Sequence, residues 1–519
     1  MKRFFHFAAI AAMVLPAAGA QSLEQRIAAI VSRPEYEHAR FGMEFWPLDS
    51  GKPAYHLNEQ QFFIAASTTK LLTEGTALSL LGPDYRFHTR VFRTGAVDRS
   101  GTLRGDLILV AAGDPNLSNR IQPDGTLAFQ NQDHAYDSMP GGAKVVPGDP
   151  LAAMRELAAQ VATAGILKIA GHVLVDVSLF PEGEPELGTG VVISPIAVND
   201  NLIDVTIAAR AEGSTPRLTL SPSTAYVHIA NQLRTGPASG NTPQVSFIGQ
   251  RQPDGTYSVT VEGTVPARSS LLRTYRVPEP SRFAQMTFVE ALKDAGVSAT
   301  ADLTLPAPDL RAQSFYTAAN QVAEHISPPF TEEVKVTLKV SQNLHASMTP
   351  YILGAVLGNS HADALPAGFD LENRFLTKAG LDVSGASQSD GAGGSAFFTP
   401  DFMVHYLMYL SRREAVFPAF LRALPVMGKD GTLWDIQRDS PAAGHVHAKT
   451  GTLGHADLLH RSLMITGKGI AGYIDRKDGR RLAFAAYLSM VDGDPETIMH
   501  RVGNVLGEIS AAAYDAPLE

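Results

Sequence analysis

Residues 62–81 read FFIAASTTKLLTEGTALSLL, and Gly82-Pro83 follows. From 68 to 81 only Gly75 weakens a helix, so the spacing predicts a buried helix that ends before the Gly-Pro pair. Ser67 and Lys70 stand three residues apart at its start and share one face. Buried beside a hydroxyl, a lysine amine sheds its charge and can take the hydroxyl proton. The helix N-terminus also directs free N–H groups at a developing oxyanion. An S-x-x-K pattern arises by chance about once in a chain of this length. Taken alone, it reads better as an N-cap serine followed by a surface lysine.

The flanks fit a mixed fold. Ser22 and Gln25 make a capping-box pattern ahead of Leu23, Ile27, Ile30 and Val31, and Pro34 stops the run. Phe41, Met43 and Phe45 alternate like a half-buried strand before an Asp49-Ser50-Gly51 turn. Near the other end, residues 471–475 and 481–490 flank Lys477-Asp478-Gly479 and read as a hairpin. A last helix is expected from Asp494-Pro495, with Ile498, Val502, Val505, Leu506 and Ile509 on one face. From about 90 to 315 the texture changes to short Val/Ile/Leu/Thr runs between turns, with one helical stretch at 150–164. QPDGT occurs at both 122–126 and 252–256 with dissimilar flanks, which points to a reused hairpin turn rather than a duplicated domain. Helix and strand material at both ends therefore encloses a β-rich insert.

Composition narrows the chemistry. The chain has 519 residues, a net charge of −9, 45% hydrophobic and 18% charged residues, and no Cys. The length calls for more than one domain. Without Cys there is no disulfide, thiolate nucleophile or Cys-based metal site. A negative charge with no Lys/Arg run argues against a nucleic-acid partner. Residues 1–20 read MKRFFHFAAIAAMVLPAAGA: Lys2 and Arg3, an apolar stretch, then Ala18-Gly19-Ala20 as a small-x-small cleavage site. This predicts an exported protein, periplasmic or extracellular, soluble after signal cleavage near Ala20. The run falls short of the roughly 20 apolar residues a membrane span needs, and no transmembrane anchor is expected.

Two more motifs lie downstream. Ser341-Gln342-Asn343 places a hydroxyl and a carboxamide two residues apart, suited to relaying a proton and holding a substrate amide. Lys449-Thr450-Gly451-Thr452 follows GHVHA. On a strand, Lys449 and Gly451 share one face and Thr450 and Thr452 the other. Gly451 would let a substrate backbone approach closely. Each alone is weak, since helix caps and strand turns use such residues. S-x-x-K, S-x-N and K-T-G in that order form the serine penicillin-recognising set.

The wide gap between Ser67 and Ser341 implies a large insert that compact β-lactamases lack. The layout resembles the D-alanyl-D-alanine carboxypeptidase/endopeptidase family of class C low-molecular-mass penicillin-binding proteins, peptidase family S13. The segments FFIAASTTKLLT, GDLILVAAGDPNLS, GHVLVDVSLF, AVNDNLIDV, KVSQNLHASM, SDGAGGS, GKDGTL and AKTGTL carry the likeness, as does the hairpin GIAGYIDRKDGRRLAFAAYL. The resemblance implies an α/β (α+β) serine β-lactamase/penicillin-binding transpeptidase-like domain at 21–90 and 317–519. It is split by a β-rich insert at 91–316 of one or two subdomains, one nested at about 207–285. By the same resemblance Ser67 would be the acylated nucleophile, Lys70 its base and Ser341 the proton shuttle to the leaving amine. Asn343 would place the substrate, and Lys449, Thr450, Gly451 and Thr452 would bind it, the lysine and threonines at its terminal carboxylate. The Ser67 and Thr452 N–H groups would form the oxyanion hole. The implied partners are peptidoglycan stem peptides, with β-lactams as covalent inhibitors, and no metal or cofactor is needed.

Three departures stand out. The family's Asp-Gly-Ser-Gly-Leu-Ser-Arg is here Asp390-Gly391-Ala392-Gly393-Gly394-Ser395-Ala396, so Ala396 lacks a guanidinium that could meet a stem-peptide carboxylate. Ala65-Ala66 stand where a Pro-Ala pair is usual. About ten extra residues follow Lys449-Thr450-Gly451 and would rim the cleft. By the resemblance, Asp176 in DVSLF matches a segment that can help bind the stem peptide's amino acid, and a turn or cap role fits it equally. Asn199-Asp200-Asn201 reads as a capped turn rather than a calcium loop, and His445 and His447 as polar packing rather than zinc ligands. The competing functions are a β-lactamase or esterase on the same scaffold, disfavoured because no deacylation Glu motif is evident, and an inactive cell-wall binding protein.

Overall fold

The computed structural model describes residues 21–137, 142–239, 242–305 and 314–518, so the expected signal peptide at 1–20 lies outside the described residues. The two chain ends meet in one antiparallel sheet. Its strand order is Val446–Asp457, Ser462–Asp475, Arg481–Ser489, Arg40–Pro47, Tyr55–Leu57. In Arg481–Ser489 the side chains alternate between layers. Leu482, Phe484, Ala486 and Leu488 face the helices Leu23–Val31 and Ile498–Asp515. Ala483, Ala485 and Tyr487 face Thr69–Leu81 and Pro400–Ser411.

This two-sided covering corrects the half-buried reading of Arg40–Pro47. Phe41, Met43 and Phe45 are buried as expected, but Gly42 and Glu44 are buried as well. A Cβ on Gly42 would lie 2.1 Å from the Phe63 ring, so the missing side chain is what lets the second layer close. At the N-terminus Ser22 and Gln25 form the reciprocal capping box. The last helix begins at Ile498, after a turn in which the Asp494 carbonyl accepts from Thr497 and Ile498 N–H.

Within the insert, Gln321–Ile326, His88–Arg93, Leu107–Val110 and Val173–Asp176 form a four-stranded sheet. Its entry and exit strands, His88–Arg93 and Gln321–Ile326, pair directly. The expected limits at 90/91 and 316/317 therefore cut the first strand and leave the last on the wrong side. Two helices pack on this sheet, not one: Ala152–Thr163 and Pro280–Asp294. Ala284, Phe288, Ala291 and Leu292 repeat at helical spacing in the second, and all four are buried. A smaller unit of two three-stranded sheets shares a core of Val205, Ile207, Leu233, Val261 and Val265. Its strands run from Leu202 to Arg276 rather than over 207–285, because the Pro280–Asp294 helix joins the larger core. Both QPDGT segments form the same turn: Gln122 pairs with Thr126 and Gln252 with Thr256, with Asp124 and Asp254 bonded to the Thr hydroxyls.

Candidate active site

The three motifs converge although they lie far apart in the chain. Ser67 occupies a short 3-10 turn, Ala66–Thr68, ahead of the Thr69–Leu81 helix. Ser67 caps nothing. Ala66 before it has φ 44, and a Cβ on Gly393 would lie 2.0 Å from the Ala66 carbonyl oxygen. The glycine-rich 390–396 segment thus supports the bend that presents Ser67, and Asp390 Oδ1 gathers the Ala392, Gly393 and Gly394 N–H groups. Ala396 is buried in the core, and its carbonyl accepts from Ala65 N–H at 3.0 Å.

Lys70 is wholly buried, with its Nζ 2.7 Å from Ser67 Oγ, 2.7 Å from Asn343 Oδ1, 3.2 Å from the Ala392 carbonyl and 3.4 Å from Ser341 Oγ. Among the described residues no carboxylate touches it. Burial pushes the amine down to about 7, against the opposing pull of Glu186, Asp390 and Glu74. A neutral amine has two N–H bonds and a lone pair. Asn343 Oδ1 and the Ala392 carbonyl can accept the two protons, which leaves the lone pair for the Ser67 hydroxyl.

Ser341 ends the Phe330–Val340 helix in the left-handed region at φ 64, and Asn343 opens the next helix, Asn343–Val356. The linking Gln342 caps that helix through Leu344 N–H. Helix capping and a place in the cleft thus coexist in one tripeptide. Lys449, also wholly buried, donates to Ser341 Oγ at 2.8 Å and to the Thr450 carbonyl at 2.7 Å. Ser341 Oγ therefore lies between two lysines. Burial pushes Lys449 well below the ordinary lysine range, and Lys70 and Lys468 push in the same direction. A Cβ on Gly451 would lie 2.9 Å from Ser67 N, so this position lets the strand pack onto the Ala66–Thr68 turn. Thr450 shares a hydroxyl contact with Thr432 at 2.8 Å, and Thr452 Oγ1 accepts from Lys468 Nζ at 2.7 Å.

Asp176 makes a turn contact. It is buried, Oδ1 accepts from Ser178 N–H, and Oδ2 accepts from the Tyr316 hydroxyl. The residues after Thr452 lengthen the strand pair into a projecting hairpin whose tip, Leu458 and Leu459, is 88% and 84% exposed. His445 stacks on Tyr514, while His447 lies 3.5 Å from Asp475, so the two histidines take separate partners.

Several site residues have no motif to announce them. The Tyr136 hydroxyl, from the insert, bonds Asn343 Oδ1 at 3.0 Å and the Ser341 carbonyl. Glu186 folds its loop by accepting Gly188, Thr189 and Gly190 N–H groups. A Cβ on Gly188 would lie 2.0 Å from Asn343 Nδ2, so that loop sits against the second motif. Behind it is a buried charge network centred on Asp200, which is more than a capped turn. Asp200 accepts from Arg120 at 2.7 Å, His134 at 2.7 Å, His345 at 2.9 Å and Gln342 at 3.1 Å. Burial alone would raise its carboxyl, but Arg120 and His345 hold it well below the usual range. For His345, burial is outweighed by Glu333 and Asp200, which raise it to about 10.

The profile of the D-Ala-D-Ala carboxypeptidase 3 (S13) family matches residues 23–507. A D-alanyl-D-alanine carboxypeptidase from Actinomadura sp. strain R39 is 28% identical over 90% of this chain and 81% of its own. The carboxypeptidase DacB of Haemophilus influenzae is 22% identical over 83% and 81%. The crystal structure of penicillin binding protein 4 (dacB) from the same organism superposes with a TM-score of 0.70 at 20% identity, covering 94% of this chain and 98% of that one. A crystal structure of that protein complexed with a β-lactam gives 0.72 at 19% identity, covering 94% and 99%. The shared fold is the penicillin-binding/β-lactamase-like one. Among the described residues no helix is long and apolar enough to cross a membrane.

Proposed function

The chain belongs to the D-Ala-D-Ala carboxypeptidase 3 (S13) family and is a serine-type carboxypeptidase of the penicillin-binding class, and we propose that it acts through a Ser67 acyl-enzyme on peptidoglycan stem peptides. Lys70, neutral when poised, takes the Ser67 proton as Oγ attacks the carbonyl of the penultimate D-Ala. The Ser67 and Thr452 N–H groups receive the oxyanion. Loss of one such donor typically costs about 10²–10³ in rate. Ser341, between Lys70 and Lys449, passes a proton to the departing amine. Lys70 returns the Ser341 proton, then takes one from the water that attacks the acyl carbonyl and passes it to the departing Ser67 Oγ, which restores the neutral amine and the serine hydroxyl. Asn343 positions the substrate amide, and Lys449, Thr450 and Thr452 take the terminal carboxylate. The observation that carries this reading is the Lys70 amine, buried 2.7 Å from Ser67 Oγ and, among the described residues, without a carboxylate partner.

The same site opens D-Ala–diamino acid cross-links when the leaving amine belongs to a neighbouring stem, and β-lactams acylate it. The protein is exported after cleavage near Ala20 and works in the periplasm or outside the cell. Labelled penicillin separates the functions. A long-lived adduct together with D-Ala release from pentapeptide muropeptides supports the carboxypeptidase. Rapid turnover of penicillin would indicate a β-lactamase, and no adduct at all would indicate a binding protein. Digestion of cross-linked muropeptide dimers tests the endopeptidase reaction.

A further inference from the structure

Lys468 lies on the strand next to the third motif, directly opposite Thr452 in the register. It is 8% exposed, and its hydrogen bond is to Thr452 Oγ1 at 2.7 Å. Among the described residues no carboxylate oxygen is recorded within 4.0 Å of its Nζ; the acid that acts on it, Asp435, is a more distant influence, and burial outweighs it to push the amine down to about 8. Lys468 also acts on Lys449, and its Nζ sits between Thr452 and the Ile498–Asp515 helix, where a Cβ on Gly503 would lie 3.8 Å from it. A charged amine costs free energy to bury unless an anion compensates it. A free carboxylate arriving at Thr450 and Thr452 would supply that anion.

The hydrogen bond also has a direction. An ammonium has only donors, so Thr452 Oγ1 must accept from Lys468. Its single proton is then free for another acceptor. The geometry points to Lys468 as a positioning residue of the carboxylate subsite, aiming the Thr452 hydroxyl proton at the C-terminal carboxylate of the substrate and adding positive charge behind it. The inference rests on the carboxypeptidase reading above and extends it: Lys468 tells a free C-terminus from a capped one.

Binding can be measured without turnover by placing Ser67→Ala behind the Lys468 variants. The probes are an N-acylated peptide ending in D-Ala-D-Ala and the same peptide with a C-terminal amide, each titrated by calorimetry. Lys468→Met should weaken the free-acid peptide at least tenfold while the amide changes less than twofold, and Lys468→Arg should restore most of the preference. An unchanged acid-to-amide ratio in Lys468→Met overturns the proposal, as does an equal loss for both peptides, which would mark a merely structural lysine. If the protein with Ser67 intact cleaves neither peptide, the functional reading fails, while the calorimetric ratio still decides the role of Lys468.

Discussion

Two buried polar regions adjoin the second motif, and they treat charge in opposite ways. Behind it, Asp133, Asp200 and Asp204 meet Arg120, His134 and His345 at hydrogen-bond distance. In front, Lys70 and Lys449 are just as buried, yet their recorded hydrogen bonds go to hydroxyls, a carboxamide and carbonyls. Matched charges hold one geometry, and removing a partner leaves an ion buried alone. Unmatched amines instead give up protons and attract anions. The rear network ties Arg120, His134 and Asp200 to Gln342 and His345, and in the proposed mechanism the front region is the reactive one.

Substitutions in the two regions should therefore fail differently. Lys70→Ala is expected to slow β-lactam acylation by at least 10³-fold while the thermal midpoint stays within a few degrees, as stopped-flow and calorimetry would show; a large stability loss would erase the distinction. Asp200→Asn should do the reverse, costing about 3–5 kcal/mol of unfolding free energy because Arg120, His134 and His345 lose their shared partner. Denaturant titration measures it, and a loss below 1 kcal/mol would make the network incidental.

Acidity gives a finer contrast. In the proposed mechanism Lys70 works unprotonated, and burial pushes its amine down to about 7. Acylation should thus fall about tenfold per pH unit well below 7 and level off above it. His345, raised to about 10, keeps its charge across that range, so circular dichroism should stay flat from pH 5 to 8 while the rate changes. Smallest of all, Tyr136→Phe removes a neutral hydroxyl from Asn343 and Ser341, for an expected effect of about 1 kcal/mol, a five- to tenfold loss in kcat/KM.

What was legible in the sequence divides along the same line. Ser67-x-x-Lys70, Ser341-x-Asn343 and Lys449-Thr450-Gly451 are local patterns, each at the end of a helix or on a strand that periodicity can find. Their convergence follows from the fold. Tyr136, Glu186 and Lys468 carry no local signature, because other parts of the chain bring them beside the second and third motifs. Asp200 had one in Asn199-Asp200-Asn201, but a turn motif does not reveal that its carboxylate faces Arg120. In Pro280–Asp294 the helical spacing of Ala284, Phe288, Ala291 and Leu292 was present and was outweighed by the strand-rich texture around it. Alternation in Arg40–Pro47 located the strand, but it could not show that Phe63 would close over Gly42.

The most direct test is to locate the covalent bond. The folded protein is incubated with a β-lactam at pH 8, quenched, digested and peptide-mapped by mass spectrometry beside its Ser67→Ala and Lys70→Ala variants. The predicted result is one acyl group on the peptide containing Ser67, none in Ser67→Ala, and only slow accumulation in Lys70→Ala. Acylation mapped to another residue, or undiminished without the lysine, would contradict the reading of this cleft.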